Sequence, residues 1–411
     1  MLDAATFYRC MFRLAFILFL PMLLALSGCQ YFTAGLPKST ETPLEEKIGQ
    51  LLLVGFRGQT LEQAPTLVND IQKRHLGGVI LFDYDVQLRQ SGRNIASPSQ
   101  LKQLTSDLQA LSNLPLLIAI DQEGGRIARL KPAQGFPVTL SHRELAEQAD
   151  VRLTFEHGKK LATTLATFGI NLNLAPVVDL CSNPDNPVIA RLDRCFSATP
   201  DQVTGQAGAY IAGHHQTAVL TCLKHFPGHG SSTTDSHQGF TDITQTWNEE
   251  ELVPYRELIQ HGRVDTIMTA HVFNSHLDAN DPATLSRPII TGLLRGVLGY
   301  EGVVISDDLQ MKAISAHYGL ETAIERALNA GVDMLVFGNN LSYNEHSVEQ
   351  AVTIIQRLIK QGKVSEARID ESWRRITMLK RRLTVKEQRK HSDDLRTVDV
   401  HLQGTVSTES E

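Results

Sequence analysis

GVVISDD, residues 302–308, is a short apolar run that stops at a serine and two aspartates. An unbroken apolar run, rather than a strict apolar–polar alternation, describes a strand covered on both faces, the condition of a parallel strand under helices. Working outward from it, seven more runs share that character: LLLVGF (51–56), GGVILF (77–82), LLIAID (116–121), INLNLAP (170–176), VLTCLKHF (219–226), TIMTAHV (266–272) and DMLVFG (333–338). Between them lie helix-length stretches such as 99–111, 142–168, 248–261, 320–330 and 345–360, and a last helix is expected over 365–383. Strand and helix alternating eight times predict an α/β fold, a (β/α)8 TIM barrel forming a single catalytic domain. An open, doubly wound sheet is the alternative reading of the same alternation.

Composition agrees with a packed domain. Of 411 residues, 42% are hydrophobic and 20% charged, which excludes collagen-like and charge-expanded disordered chains. Lys and Arg number 39 against 45 Asp and Glu, for a net charge of −6 and no basic block, so nothing electrostatic points to nucleic acid as a partner.

On a barrel of this kind the chemistry gathers at the C-terminal ends of the strands. The third run ends in Asp121, before Gln122-Glu123-Gly124-Gly125-Arg126; the fifth ends near Lys224-His225; the sixth carries His271; the seventh ends in Ser306-Asp307-Asp308. Core-facing strand positions should be branched and apolar, so ionisable groups at four strand ends call for a ligand site. Asp307 and Asp308 are neighbours on a strand and should point to opposite faces, so one of them aims inward. After the fifth run, PGHG (227–230) and Ser231-Ser232-Thr233-Thr234 make a poor helix and a good mobile loop. His225, His229 and His237 with Asp235 can also be read as metal ligands, but Phe226-Pro227-Gly228 prevents the helix that would align the first two, and no metal is expected. The basic stretch 374–382 reads as a solvated helix face.

Four ordered motifs then carry a family resemblance. DQEGGRIARL (121–130), KHFPGHGSSTTDSH (224–237), IMTAHV (267–272) and GYEGVVISDDLQM (299–311) resemble those of glycoside hydrolase family 3, and within it the single-barrel β-N-acetylhexosaminidases, over residues 44–382. The resemblance implies an exo-acting, retaining β-N-acetylglucosaminidase without a cofactor. Its carbohydrate substrate would be peptidoglycan fragments or chitooligosaccharides. Asp307 matches the nucleophile, and His237, paired with Asp235, matches the proton donor. Asp121, Arg129, Arg194, Lys224 and His225 match substrate-binding positions. The loop after Arg194 departs from the family pattern, with Cys195-Phe196-Ser197 where Ser-Phe-Gly is usual. Two alternatives stay open: a β-glucosidase or β-xylosidase of the same family, and a non-catalytic sugar-binding lipoprotein.

The N-terminus is set apart from the fold. Arg9 and Arg13 precede LAFILFLPMLLAL (14–26), and Leu26-Ser27-Gly28-Cys29 resembles a bacterial lipoprotein signal. The expected organisation is a signal peptide over 1–28, a tether over 29–43 lipidated at Cys29, the barrel over 44–383 and a polar, disordered tail over 384–411. The protein is then an exported monomer, anchored to the periplasmic or outer-membrane face of a bacterial membrane. An uncleaved anchor helix is the alternative, although Pro21 interrupts a run shorter than the roughly 20 residues a span needs. Of five cysteines, Cys10 leaves with the signal and Cys29 takes lipid. In an oxidising compartment Cys181 and Cys195 are expected to form a disulfide that pins the loop presenting Arg194, while Cys222 packs as a small hydrophobe inside a strand. Two buried free cysteines are the alternative.

Overall fold

The computed structural model describes residues 42–383, so the expected signal peptide, Cys29, nearly all of the tether and the tail lie outside the described residues. Each of the eight apolar runs forms a strand: β1 (Leu52–Gly55), β2 (Gly78–Leu81), β3 (Leu117–Ile120), β4 (Leu172–Asn173), β5 (Leu220–Phe226), β6 (Thr266–Thr269), β7 (Val303–Asp308) and β8 (Met334–Phe337). They pair in parallel, each with its neighbours in sequence, and β8 returns to β1, so the sheet closes as a barrel and the doubly wound alternative falls. Val54 of β1, for instance, stands beside Val79 on one side and Phe337 on the other. Every residue of β1, β2, β3, β6 and β8 is buried, which is why these runs lack alternation.

Two ladders are irregular. Between β5 and β6 the register shifts between Leu223 and Phe226, and between β7 and β8 it shifts beside Ser306 and Asp307. In each case the residues given an extra step, Lys224-His225 and Ser306-Asp307, lie at the ionisable strand ends. Bulges of this kind re-aim side chains next to active sites. Ser306 Oγ accepts the Val336 N–H at 2.9 Å, so the buried hydroxyl takes up a ladder donor that the bulge displaces.

Several helices differ from the sequence reading. The stretch 142–168 is two helices, His142–Glu147 and Val151–Thr167, because Ala149 takes a positive φ of 51° and Asp150 caps the second helix by accepting the Arg152 N–H. The stretch 248–261 is a 3-10 turn, Glu249–Leu252, running into a helix, Val253–Gln260. A small antiparallel ladder, Tyr84–Asp85 with Gln90–Ser91, is too short to leave a periodic signal. The last helix occupies 366–383. Its Arg368 and Arg375 reach the buried Asp333 below β8, so these charges stabilise the fold at the opposite end from the chemistry.

Candidate active site

The third-strand loop is shaped by two glycines. Gly124 (φ 112°) passes so close to Leu140 that a Cβ would lie 2.0 Å from its carbonyl oxygen, and Gly125 (φ 56°) presses on Ser141. The chain folds back there. Gln122, fully buried, accepts the Arg129 and Leu130 N–H groups at 2.8 and 2.9 Å and holds the returning arm. Asp121, Glu123 and Arg129 thereby share one wall.

The strand-five bulge delivers Lys224 to that wall. Its ammonium donates to Asp121 Oδ1 at 2.8 Å and to Glu123 Oε1 at 2.7 Å, with the lysine and Glu123 side chains each only 2% exposed. Glu123 also takes a two-point contact from Arg194, whose Nε and Nη2 donate to its two oxygens at 2.8 Å each. Arg194 Nη1 donates to the Val188 carbonyl at 2.8 Å, and Nη2 approaches His225 Nε2 at 3.3 Å. Three N–H bonds of Lys224 and five of Arg194 are available; these contacts leave one on each uncommitted among the described residues. Arg129 approaches Asp121 Oδ2 at 3.4 Å, leaving further donors for a hydroxyl-rich ligand.

The charges hold one another ionised. Burial acts to raise the Asp121 and Glu123 carboxyls, but Lys224 and Arg129 around the first, and Arg194 and Lys224 around the second, bring both below the usual carboxylate range. Burial likewise opposes the charge of Lys224, and Asp121 and Glu123 outweigh it, raising the ammonium.

Opposite this wall, β7 ends in the two aspartates, and their environments diverge. Asp308 Oδ1 accepts the Gly338 and Gln310 N–H groups at 3.0 Å each, which turns its carboxyl toward the next strand. Desolvation and the adjoining Asp307 push it up to about 6. Asp307 accepts the Asp308 N–H at 2.8 Å, and no other side chain donates to it among the described residues. Burial would raise it, yet neighbouring histidines, His271 first and His237 among them, bring it below the ordinary value and favour the ionised carboxylate. His271, at the end of the sixth run, donates from Nε2 to the Asp308 carbonyl at 2.9 Å and contacts Thr284 Oγ1 through Nδ1 at 2.8 Å, bracing the strand end that carries both.

The loop after β5 brings the last group. His237 Nδ1 lies 2.8 Å from Asp235 Oδ1, which also accepts the His237 N–H at 2.9 Å, and the His237 side chain remains 48% exposed. Desolvation acts against the imidazolium, but the Asp235 hydrogen bond and the field of Asp307 prevail and raise it, while Asp235 is held down at about 2. The loop root is anchored: Gly230 sits where a Cβ would meet the Leu180 carbonyl oxygen at 1.7 Å, and the His229 ring bridges Ser232 Oγ at 2.9 Å and Ser236 Oγ at 3.1 Å.

Comparison with known proteins places this geometry. The model of the glycosyl hydrolase family 3 N-terminal domain matches residues 43–379. The chain belongs to glycosyl hydrolase family 3. A β-hexosaminidase of Tolumonas auensis is 41% identical over 272 residues, covering 64% of this chain and 76% of that protein. The β-hexosaminidase LpqI of Mycobacterium tuberculosis is 32% identical over 343 residues, 82% of each chain. Among solved structures, a family 3 β-N-acetylglucosaminidase from a Paenibacillus strain superposes with a TM-score of 0.76 at 36% identity; the match covers 84% of this chain and 63% of that one.

Of the residues matched to family 3 positions, Asp121, Arg129, Lys224, Arg194 and His225 form one bonded cluster, to which Glu123 contributes, and His237 is acted on by both Asp235 and Asp307. Cys181 and Cys195 are bridged, with Cα atoms 5.7 Å apart, and Cys222 is a buried free thiol. Despite the altered Cys-Phe-Ser loop, Arg194 reaches Glu123 and His225. The roles of Glu123, Asp179 and His271 escaped the sequence reading. Glu123 lies within DQEGGRIARL, where no neighbour in sequence gives it a partner, and Asp179, in APVVDL, ends an apolar stretch as Asp121 does.

Proposed function

We propose that this chain is an exo-acting, retaining β-N-acetylglucosaminidase, releasing terminal N-acetylglucosamine from peptidoglycan fragments or chitooligosaccharides. The observation that carries the reading is an Asp307 carboxylate at a bulged strand end that, among the described residues, takes no side-chain donor and whose field acts on a histidine that Asp235 keeps prone to protonation. It is a glycoside hydrolase with β-N-acetylhexosaminidase activity, in keeping with its β-hexosaminidase relatives.

In the first step Asp307 attacks the anomeric carbon, the glycosidic C–O bond breaks, and the His237 imidazolium gives its proton to the departing oxygen. In the second step His237, now neutral, takes a proton from water as the water displaces Asp307. A histidine suits both directions because its ordinary pKa is close to neutrality. Asp121, Arg129, Lys224 and Arg194 supply paired acceptors and donors for the ring hydroxyls, so that closing the site leaves few polar groups unmatched. The protein acts outside the cytoplasm, held to a membrane by lipid on Cys29.

A slow-turnover fluorinated N-acetylglucosaminide tests the mechanism: the intact protein should gain the sugar mass, and peptide mapping should place it on Asp307. Label on Asp308, or an oxazoline product without any adduct, would overturn it in favour of acetamido-assisted chemistry. Parallel assays on glucosides, xylosides, muropeptides and chitooligosaccharides assign the sugar and its source.

A further inference from the structure

Asp179 follows β4, where Val177 bridges to Lys224 and Val178 N donates to the Lys224 carbonyl at 2.9 Å. Its carboxylate is completely buried, and among the described residues neither lysine nor arginine pairs with it. Three N–H groups do. Oδ1 accepts the backbone N–H of His225 at 3.1 Å and of His229 at 2.9 Å, and Oδ2 lies 2.7 Å from His225 Nδ1. Burial acts to raise this carboxyl, but His225, His229 and the backbone N–H groups bring it below the ordinary value, so a buried carboxylate is maintained by histidine and backbone donors rather than by a cation in contact with it.

We propose that Asp179 is a positioning residue that holds His225 with its proton on Nδ1 and, through the same carboxylate, ties the root of the His237 loop to the sugar pocket. The tautomer follows from donors and acceptors. Asp179 Oδ2 can only accept, so Nδ1 carries the hydrogen; Arg194 Nη2 can only donate, so Nε2 presents its lone pair. Nε2 is therefore an acceptor, whose one lone pair meets the guanidinium here and can be taken by a sugar hydroxyl in its place. The loop coupling follows from the second oxygen. His225 and His229 bracket Phe226-Pro227-Gly228, and fastening both backbone N–H groups to one atom sets the angle at which the chain leaves β5 toward Asp235 and His237. His229 carries the restraint onward through its ring contact to Ser236, the residue between those two.

An amide at this position separates positioning from simple packing. Asp179→Asn keeps the size and one oxygen for the two backbone donors, but it offers N–H where His225 Nδ1 needs an acceptor. The proton should move to Nε2, which then meets Arg194 donor to donor.

The experiment is nitrogen-15 NMR of the full chain labelled in histidine, with His225 assigned by His225→Gln, alongside steady-state kinetics on an aryl N-acetylglucosaminide. The wild-type His225 should show protonated Nδ1 and bare Nε2, and Asp179→Asn should invert them. With the inversion, kcat/KM should fall on the order of 10- to 100-fold, the range seen when a carboxylate behind a metal-bound histidine is removed, the larger share lying in KM. A wild-type His225 protonated on Nε2, or an Asp179→Asn protein that keeps the wild-type pattern, overturns the proposal. Should the variant not fold, the wild-type spectrum alone still decides. The inference rests on the sugar-site reading for its kinetic half only; an inverted tautomer in a protein inactive on every glycoside would sink that reading and leave the Asp179–His225 relation standing.

Discussion

Breaking the Cys181–Cys195 bridge should lower stability substantially and sugar affinity only slightly. The bridge closes a segment with a separation of 14 residues, for which the chain-entropy model gives about 3 kcal/mol at 25 °C. At roughly 2.1 cal/mol/K per residue over the about 340 described residues, that loss lowers the melting midpoint by about 4 °C. Cys195 is buried against Val177, Val188, Ile189 and Ala190, so alanines are the conservative replacements. The arginine beside it has other anchors: the two-point Glu123 contact, the Val188 carbonyl, and His142 Nδ1 on the Arg194 carbonyl at 2.6 Å. KM should therefore rise by a few-fold in the Cys181→Ala/Cys195→Ala double variant, well short of the roughly 100-fold expected when a charged donor to bound sugar is removed by Arg194→Ala. Thermal and urea unfolding of the double variant, and of the wild type with and without reductant, read the stability; saturation kinetics read KM. An unchanged midpoint in the double variant would refute the loop-closure reasoning, and a KM as poor as that of Arg194→Ala would show that the bridge, rather than Glu123, orients the arginine.

Asp307→Ala should abolish nearly all turnover with an unchanged melting curve, because among the described residues the carboxylate makes no hydrogen bond beyond the neighbouring Asp308 N–H; appreciable residual kcat would argue for another nucleophile. His237→Ala should slow substrates with poor leaving groups far more than activated aryl glycosides, which depart with little protonation, and equal slowing in the two series would point to positioning instead. Asp235→Asn removes the charge that raises His237, so the imidazolium loses its proton at lower pH and the alkaline limb of kcat/KM should move in the acid direction; a limb that stays in place would assign it to another group. Gly230→Ala drives a Cβ into the Leu180 carbonyl oxygen, so it should cost about 2 kcal/mol or more in urea unfolding and lower kcat by displacing the His237 loop, whereas a variant with wild-type stability would mean that this loop root is not tightly held.

The barrel was legible in the sequence because its signal is local. A strand buried on both faces is an unbroken apolar run wherever it sits, and eight such runs with helices between them admit few closed arrangements. The motifs at the strand ends were legible for the same reason: Asp121, Lys224, His225 and Asp307 are polar residues where a core strand should be apolar. Helix limits were less so, since the break at Ala149 depends on a positive φ that no periodicity records. Tertiary structure alone decided the rest. Alternation assigns Asp307 and Asp308 to opposite faces, but the register shift against β8 at Ser306-Asp307, which pairing with another strand alone defines, sets their directions. Glu123 meets Arg194 across 71 residues and Asp179 meets His225 across 46. Those partners become neighbours only when the barrel closes. A carboxylate's role as counter-ion, orienting group or nucleophile is set by which donors surround it and how much water is excluded, and both are properties of the closed barrel rather than of any segment of its chain.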